Sequence, residues 1–427
     1  MKHALVALMI LAAAGAPAAG EDKKPEPRLS LIFVERFRFE AWDNAVSLDE
    51  AAADSSAYTR NRTTLGLRWL ASPRIEVLGK VTNEFRVYLA PKNRPFTWNE
   101  AFVDNLYIKG TIPGRVPVTI TAGRQDIFLG EGFVIADSTP LDGSRSYYFN
   151  ALRIDAGLGA KQTLTVFAHA QRTTDRYLPV IHSQSQALVE RPEKALATYY
   201  SGGFGKTRFD AYALRRTTEA ARLWPIAGKV NTFGARFQAP LVPRLSVTAE
   251  GALQTGSYGS AGRSAYGAIA HLDGAPAWRV PWLKTMTLGA VLLSGDDPAT
   301  ARMEGWDPVF SRWPKWSEGY IYTLIKESRV AYWSNLDSIY GALGFDFGQR
   351  ANATLTVHRL GASHSLPGAF PGGTGLDRGS LVVGRLNFVI SRRLAGHLHW
   401  EHFRPGNFYA PGASGFHWIR FELLFRS

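Results

Sequence analysis

The sequence predicts an all-β protein: a transmembrane up-and-down antiparallel β-barrel of about 18 strands, preceded by a cleaved signal peptide. Three observations carry that expectation. Segments of roughly ten residues alternate apolar and polar side chains, long and short connections take turns between them, and the polar face is rich in arginine. Strand side chains point to opposite faces with period two, so one face suits hydrocarbon and the other suits water. No window is apolar over the ~18 residues that a membrane-spanning helix needs. The mean hydropathy of −0.12 would fit a soluble chain, but a barrel hides from that measure because half of each span is polar.

The N-terminus sets the compartment. Lys2 and His3 form a basic start, residues 4–14 are apolar, and Ala16-Pro17-Ala18 offers a small-x-small cleavage site. Residues 1–20 are therefore read as a removed secretory signal, 21–29 as a short periplasmic segment, and 30–427 as the barrel, in the outer membrane of a Gram-negative cell. Loss of Lys2 with the leader lowers the formal net charge from +13 to about +12. The chain has no cysteine, which excludes a thiol nucleophile and a thiolate metal site.

The first strand, residues 31–42, sets Phe33, Phe37 and Phe39 on one face and Arg36, Arg38 and Glu40 on the other. A second strand spans 58–70 and a third 74–89. Short links are expected at 71–73, 110–115, 156–161, 203–206, 239–244, 348–351 and 391–393. Long ones are expected at 43–57, 90–98, 126–143, 173–193, 217–228, 296–331, 362–377 and 404–416. Short turns on one rim and long loops on the other are the habit of outer-membrane barrels. The 12 Trp, 16 Tyr and 41 Gly fit interfacial aromatics and many turns. A periplasmic two-sheet protein fits less well, because it would have to cover Leu386, Phe388 and Ile390, then Ile419, Phe421, Leu423 and Phe425, while showing one strongly positive surface. The last strand, 417–425, ends on an aromatic residue, which suits recognition by the barrel-assembly machinery.

With the polar parity inward, Arg36, Arg38, Arg60, Arg62, Arg68, Arg74, Lys80 and Arg86 line the lumen of the first three strands, against only Glu40, Glu76 and Glu84. Later strands look balanced: Arg145 and Arg153 with Asp155, Arg208 with Asp210, Arg236 with Glu250, and Arg420 with Glu422. Cross-strand ion pairs that stiffen the wall explain the balanced set. For the first three strands, unmatched guanidiniums around a narrow aqueous path would concentrate anions and grip carboxylates bidentately without losing their charge.

Other chemistry finds little support. His397, His399 and Glu401 share a strand face, but the spacing is loose and no fourth ligand can be named, so neither a metal nor a cofactor is expected. His169, His358 and His417 are scattered and no serine motif accompanies them, so no enzyme is expected. No nucleic-acid partner is expected.

At Gly123-Arg124-Gln125-Asp126, followed by Gly130-Glu131-Gly132, the chain resembles the alginate-export family of outer-membrane porins. Asp142-Gly143 and Arg153 look like later parts of the same pattern, as do residues 396–403 and 405–409. The resemblance implies an arginine-lined conduit for an anionic polysaccharide such as a polyuronate, with Arg124 and Arg153 joining the ladder. It also implies outer-membrane lipid and periplasmic export components as partners. The alternative is a porin for small anionic solutes such as acidic oligosaccharides or aromatic acids. Loops folded into the lumen would favour small solutes, whereas an open path would favour the polymer. The link 391–393 is too small for a periplasmic plug, which leaves the loop 296–331, with Trp306, Trp313 and Trp316, as the candidate lid. Its rings either stack on sugar faces or form a small apolar core of their own.

Overall fold

The computed structural model describes residues 28–427 except 97, 99, 137–144, 146, 277–279, 313–315 and 367–369; residues 1–27, which include the expected leader, lie outside the described residues. The first strands are β1 (Leu29–Asp43), β2 (Ser56–Ser72), β3 (Ile75–Ala90), β4 (Ala101–Ile112), β5 (Val118–Gln125), β6 (Phe149–Gly159) and β7 (Gln162–Gln171). After the two-residue β8 (Val180–Ile181) come β9 (Glu193–Phe204), β10 (Thr207–Thr218), β11 (Gly228–Val242), β12 (Leu245–Tyr258), β13 (Ala261–Gly274) and β14 (Leu283–Leu293). The helix α1 (Tyr320–Ser328) precedes β15 (Leu336–Asp346), β16 (Ala351–Gly361), β17 (Asp377–Val389), β18 (Leu394–Pro405) and β19 (Phe416–Arg426).

Successive long strands pair antiparallel, and β7 reaches past β8 to pair with β9. The last strand returns to the first, with Val34 opposite Arg426 and Asp43 opposite His417. Eighteen long strands thus close into one barrel, and β8 is a piece of loop laid against β4. An even count puts both termini and the short turns on one rim and the long loops on the other. Two connections break the rhythm. The turn at 259–260 is short although it lies on the loop rim, and 275–282 is the longest link on the turn rim. The sequence between 245 and 274 is rich in Ala and Gly, so its alternation is too faint to mark that hairpin.

Alternation decides the two faces. Arg36, Arg38 and Glu40 are buried inward, while Leu65, Leu106, Phe233, Leu253 and Leu288 face out. Ile339 is 66% exposed on the outside of a closed wall, where lipid is the medium that covers it. The β3–β4 register slips between Lys80 and Val81, so Asp104 becomes the extra residue of a bulge. Asp104 and Asn105 both end up buried, which plain alternation forbids.

The apolar core lies inside the barrel, toward the loop rim. The described parts of the connections 126–148 and 294–335 turn inward and bring Ile127, Phe133, Ile135, Trp306, Phe310, Tyr320 and Trp333 against wall residues such as Phe149, Phe167, Val230 and Val291. Ile135 and Phe310 form a parallel bridge that ties the two loops together. Their unpaired backbone groups are thereby answered inside the lumen, as burial requires.

Candidate functional site: an arginine-rich channel interior

Where the barrel closes, inward side chains fall into cross-strand rows. One row runs His397, Glu422, Arg38, Arg60, Arg86 from β18 to β3. The row toward the loop rim runs His399, Arg420, Glu40, Tyr58, and the row on the other side runs Arg36, Arg62, Glu84. Like charges directly opposite one another repel. The carboxylates relieve that by serving several guanidiniums each. Glu84 lies 3.2 Å from Arg36, 3.7 Å from Arg60 and 3.8 Å from Arg62. Glu40 takes Arg420 at 3.0 Å and Arg60 at 3.5 Å, and it accepts the Tyr58 hydroxyl at 2.6 Å. Arg38 donates to Glu422, and Arg62 reaches Asp104 at 3.3 Å.

Five arginines (36, 38, 60, 62, 420) therefore share Glu40, Glu84, Asp104 and Glu422, Arg420 also lies 3.4 Å from Glu318 of the inward loop, and Arg86 stands in the same row. Beside them on β17, Arg385 faces His399 across the ladder. It bonds Asn387 Oδ1 at 2.9 Å and lies 3.2 Å from His397 Nδ1, and no carboxylate pairs with it among the described residues. The wall keeps a positive excess despite its pairing. In a narrow, low-dielectric passage such an excess concentrates anions.

A second set of charges fixes the loops. Arg124 on β5 grips Asp175 through two bonds of 2.7 and 2.9 Å, with its guanidinium 3.8 Å from the Tyr148 ring centroid. Arg216 on β10 holds Asp307 at 2.6 Å, and Arg312 from the loop reaches back to Glu193 on β9 at 2.6 and 2.7 Å. Arg378 on β17 binds Glu327 of α1 at 2.8 and 2.9 Å. Glu401 accepts the Glu318 and Gly319 backbone N–H groups at 2.6 and 3.1 Å, just ahead of that helix. Burial alone would raise the loop carboxyls of Asp175 and Asp307. Arg124 outweighs it at Asp175 and Arg216 at Asp307, so both are held below the usual carboxylate range.

The predicted ladder divides among these settings. Arg36, Arg38, Arg60 and Arg62 are nearly buried in the rows, and the expected surplus of cations over acids narrows, because Glu422 on β19 and Asp104 on β4 add to Glu40 and Glu84. Arg86 lies in the row with its guanidinium 5.0 Å from the Tyr58 ring centroid. Arg68 is half-buried and pairs with Glu76 at 3.0 Å, which also takes Lys109 at 3.2 Å. Lys80 points inward, half-buried, with no carboxylate partner among the described residues. Arg74 is corrected outright, because it sits exposed in the β2–β3 turn and not on the lumen wall. Arg124 is committed to Asp175, and Arg153 pairs with Asp155 at 2.9 Å.

Other expected pairs rearrange. Arg145 goes to Glu100 at 2.9 Å and to Asp175 at 3.1 Å, and Arg236 goes to Asp210 at 3.1 Å and to Glu131. His399 Nε2 meets Glu401 at 2.9 Å while His397 faces Glu422 at 3.4 Å, so the histidine face splits between two carboxylates. The candidate lid is no open sugar platform at Trp306, which stacks on Phe133 at 5.0 Å inside the core; Trp316 packs edge-on to Trp333. Trp313, Asp142 and Gly143 lie outside the described residues. Arg385, Arg378, Arg216 and Arg312 were missed as site residues. Inward parity marks the first three, but nothing local marks their partners.

A closed eighteen-stranded wall, apolar outside and charged within, defines an integral outer-membrane β-barrel of the porin type. Solved structures share that fold over nearly the whole chain. Pseudomonas aeruginosa OpdQ superposes with a TM-score of 0.61 at 9% identity, covering 94% of this chain and 99% of that one. The outer membrane protein opdK from the same organism gives 0.60 at 9% identity, covering 93% and 98%. OpdK with vanillate gives 0.59 at 10% identity, with the same coverage. At such identities the likeness is one of fold. No family model matches the chain, and no curated protein does. The resemblance to the alginate-export family is thereby overturned: the solved barrels that share this architecture over nearly the whole chain include OpdK and OpdQ. Local geometry accounts for its motif. Gly123 sits at φ 126°, where a Cβ would lie 2.2 Å from the Leu106 carbonyl oxygen, Arg124 pins Asp175, and Glu131 meets Arg236.

Proposed function

We propose that this protein is a porin for small anionic solutes, carboxylates foremost, which pass a constriction lined by guanidiniums. The observation that carries the reading is the combination of loops packed into the loop-side half of the lumen with a wall where arginines outnumber acids. Loops packed into the lumen suit the passage of single solutes more than that of a sugar polymer. Fixed cations with shared partners can exchange a carboxylate for a solute anion without any one site holding it too tightly. The solved OpdK with vanillate, an aromatic acid, supports the same substrate class. Removal of the 1–20 leader and insertion by the barrel-assembly machinery belong to this reading.

Planar-bilayer recording in a salt gradient tests it. The expected reversal potential is that of an anion-preferring pore, with vanillate and related carboxylates transiently blocking the current. Arg385→Gln should shift the reversal toward zero, because Arg385 forms no ion pair with a carboxylate among the described residues. A cation-preferring pore, or one blind to carboxylates and to this substitution, would overturn the proposal. Free passage of a long polyuronate would favour a polymer conduit instead.

A further inference from the structure

The rim where both termini emerge carries a charge pattern that solute passage does not use. Seven of its eight turns are fully described, and each holds a lysine or arginine and no acid. Six of them contribute Arg74, Arg115, Lys161, Lys206, Arg244 and Arg350, all exposed. The seventh, between β17 and β18, contributes two, Arg392 and Arg393. None of these side chains forms an ion pair among the described residues, and the remaining turn, 275–282, has no acid in its sequence either. The opposite rim is mixed: its first loop, 44–55, holds Asp49, Glu50 and Asp54 and no cation, and 91–100 holds Lys92 and Arg94 with Glu100. Acids near the turn rim point away from the ring. Glu76, Asp273 and Asp346 have inward parity.

Two features say what the ring faces. The same hairpin ends expose Trp69, Ile112, Phe204, Leu241, Trp282 and Phe347 outward, so the cations sit at the edge of the apolar belt and not in the pore mouth. They also surround the whole barrel. Neighbouring turns stand two strands apart, roughly 10 Å at the usual strand spacing, which is close to the screening length at physiological salt. Their fields therefore merge into one positive collar around the circumference. A ligand present on every side at this depth is the lipid annulus.

We propose that this collar binds the phosphate groups of anionic phospholipids in the leaflet facing the periplasm. The geometry matches a lysine or arginine beside each hairpin to a singly charged headgroup, with the aromatic and aliphatic residues above it against the upper acyl chain. Attraction falls off within a screening length, so lipid preference is salt-sensitive.

The test uses the refolded full barrel in nanodiscs of phosphatidylglycerol mixed with phosphatidylcholine, with native mass spectrometry counting the lipids retained on release. The expected result is enrichment of phosphatidylglycerol by at least roughly fivefold, the factor one contacting cation supplies. A variant with Arg74, Arg115, Lys161, Lys206, Arg244 and Arg350 changed to Gln should lose it, whereas Arg222→Gln with Arg302→Gln on the loop rim should not. Should the sixfold variant fail to fold, the wild-type barrel in rising salt supplies the same test: the preference must fade. Equal retention of both lipids, a preference that survives neutralisation or salt, or selective capture of a soluble acidic protein with no lipid preference would overturn the assignment.

Discussion

Arg378 and Arg385 stand on the same strand and both face into the barrel, yet their surroundings differ in kind. Arg378, near the loop rim, is fully buried, holds Glu327 through two bonds and donates to the Tyr320 hydroxyl at 3.1 Å. Arg385, farther down, has an amide and an imidazole for company and no carboxylate among the described residues. The first anchors a helix; the second keeps its charge available. The contrast extends through the interior. Where loops fill the lumen, a wall charge has its own loop partner, as in Arg124 with Asp175 and Arg216 with Asp307. Where strands β18 to β3 meet, carboxylates are fewer than arginines and are shared. The same residue type thus serves as a fastener in one region and as a fixed field in the other.

The strongest way to break that contrast is to remove a fastener. Arg378→Ala would strand Glu327 in the interior, and losing one partner of a buried pair costs about 3–5 kcal/mol. The loop 294–335 should therefore loosen, read as a rise in single-channel conductance and as protease cleavage near α1. An unchanged conductance and an intact loop would show that the helix is held by its apolar contacts alone.

Acid should do the same to Asp175 and Asp307, more gradually. Their folded-state values lie below their unfolded ones, so the stability they contribute is present above the unfolded value, roughly pH 4. It is lost as the pH falls through the depressed folded values. Conductance should stay flat on lowering the pH to about 4 and rise only below that. Asp175→Asn should bring part of the rise to neutral pH. A transition already complete near pH 6 would point to histidine and not to these pins.

The smallest effect is expected at Arg153. Its pair with Asp155 is partly exposed, and such pairs contribute about 0–1 kcal/mol. Arg153→Gln should leave heat or urea unfolding nearly unchanged. A large loss there would mean that this wall position is more tightly coupled than its exposure indicates.

How much of this was legible beforehand follows from the range of the physics. Period-two alternation is local, so residues 31–42 already told inside from outside, and loop lengths told one rim from the other. Ion-pair partners are only partly local: Arg153 with Asp155 and Arg208 with Asp210 pair along one strand face, as their spacing suggests. Arg420 and Glu422 share a strand face too, but each has an oppositely charged residue directly across the ladder on β1. Arg420 therefore turns to Glu40 and Glu422 to Arg38. Asp104 escaped notice because a bulge, not alternation, aims it inward. Loop partners such as Asp175 and Glu327 depend on how a long connection folds, which alternation does not encode. The short motif around Gly123 suggested kinship, but what it specifies is a sharp exit from β5 and a handhold for a loop.

The pairs that zip the first strand to the last have a bearing on assembly. Arg38 and Glu422 are 384 positions apart in the chain, and Arg420 and Glu40 are 380 apart. Neither contact exists until the final hairpin arrives, and an open-edged intermediate leaves both early residues without these distant partners. Closure thus acts as a check on completion. A product shortened by its last strand forfeits the contacts that make the opening strand tolerable, so it remains a poor candidate for release into the bilayer.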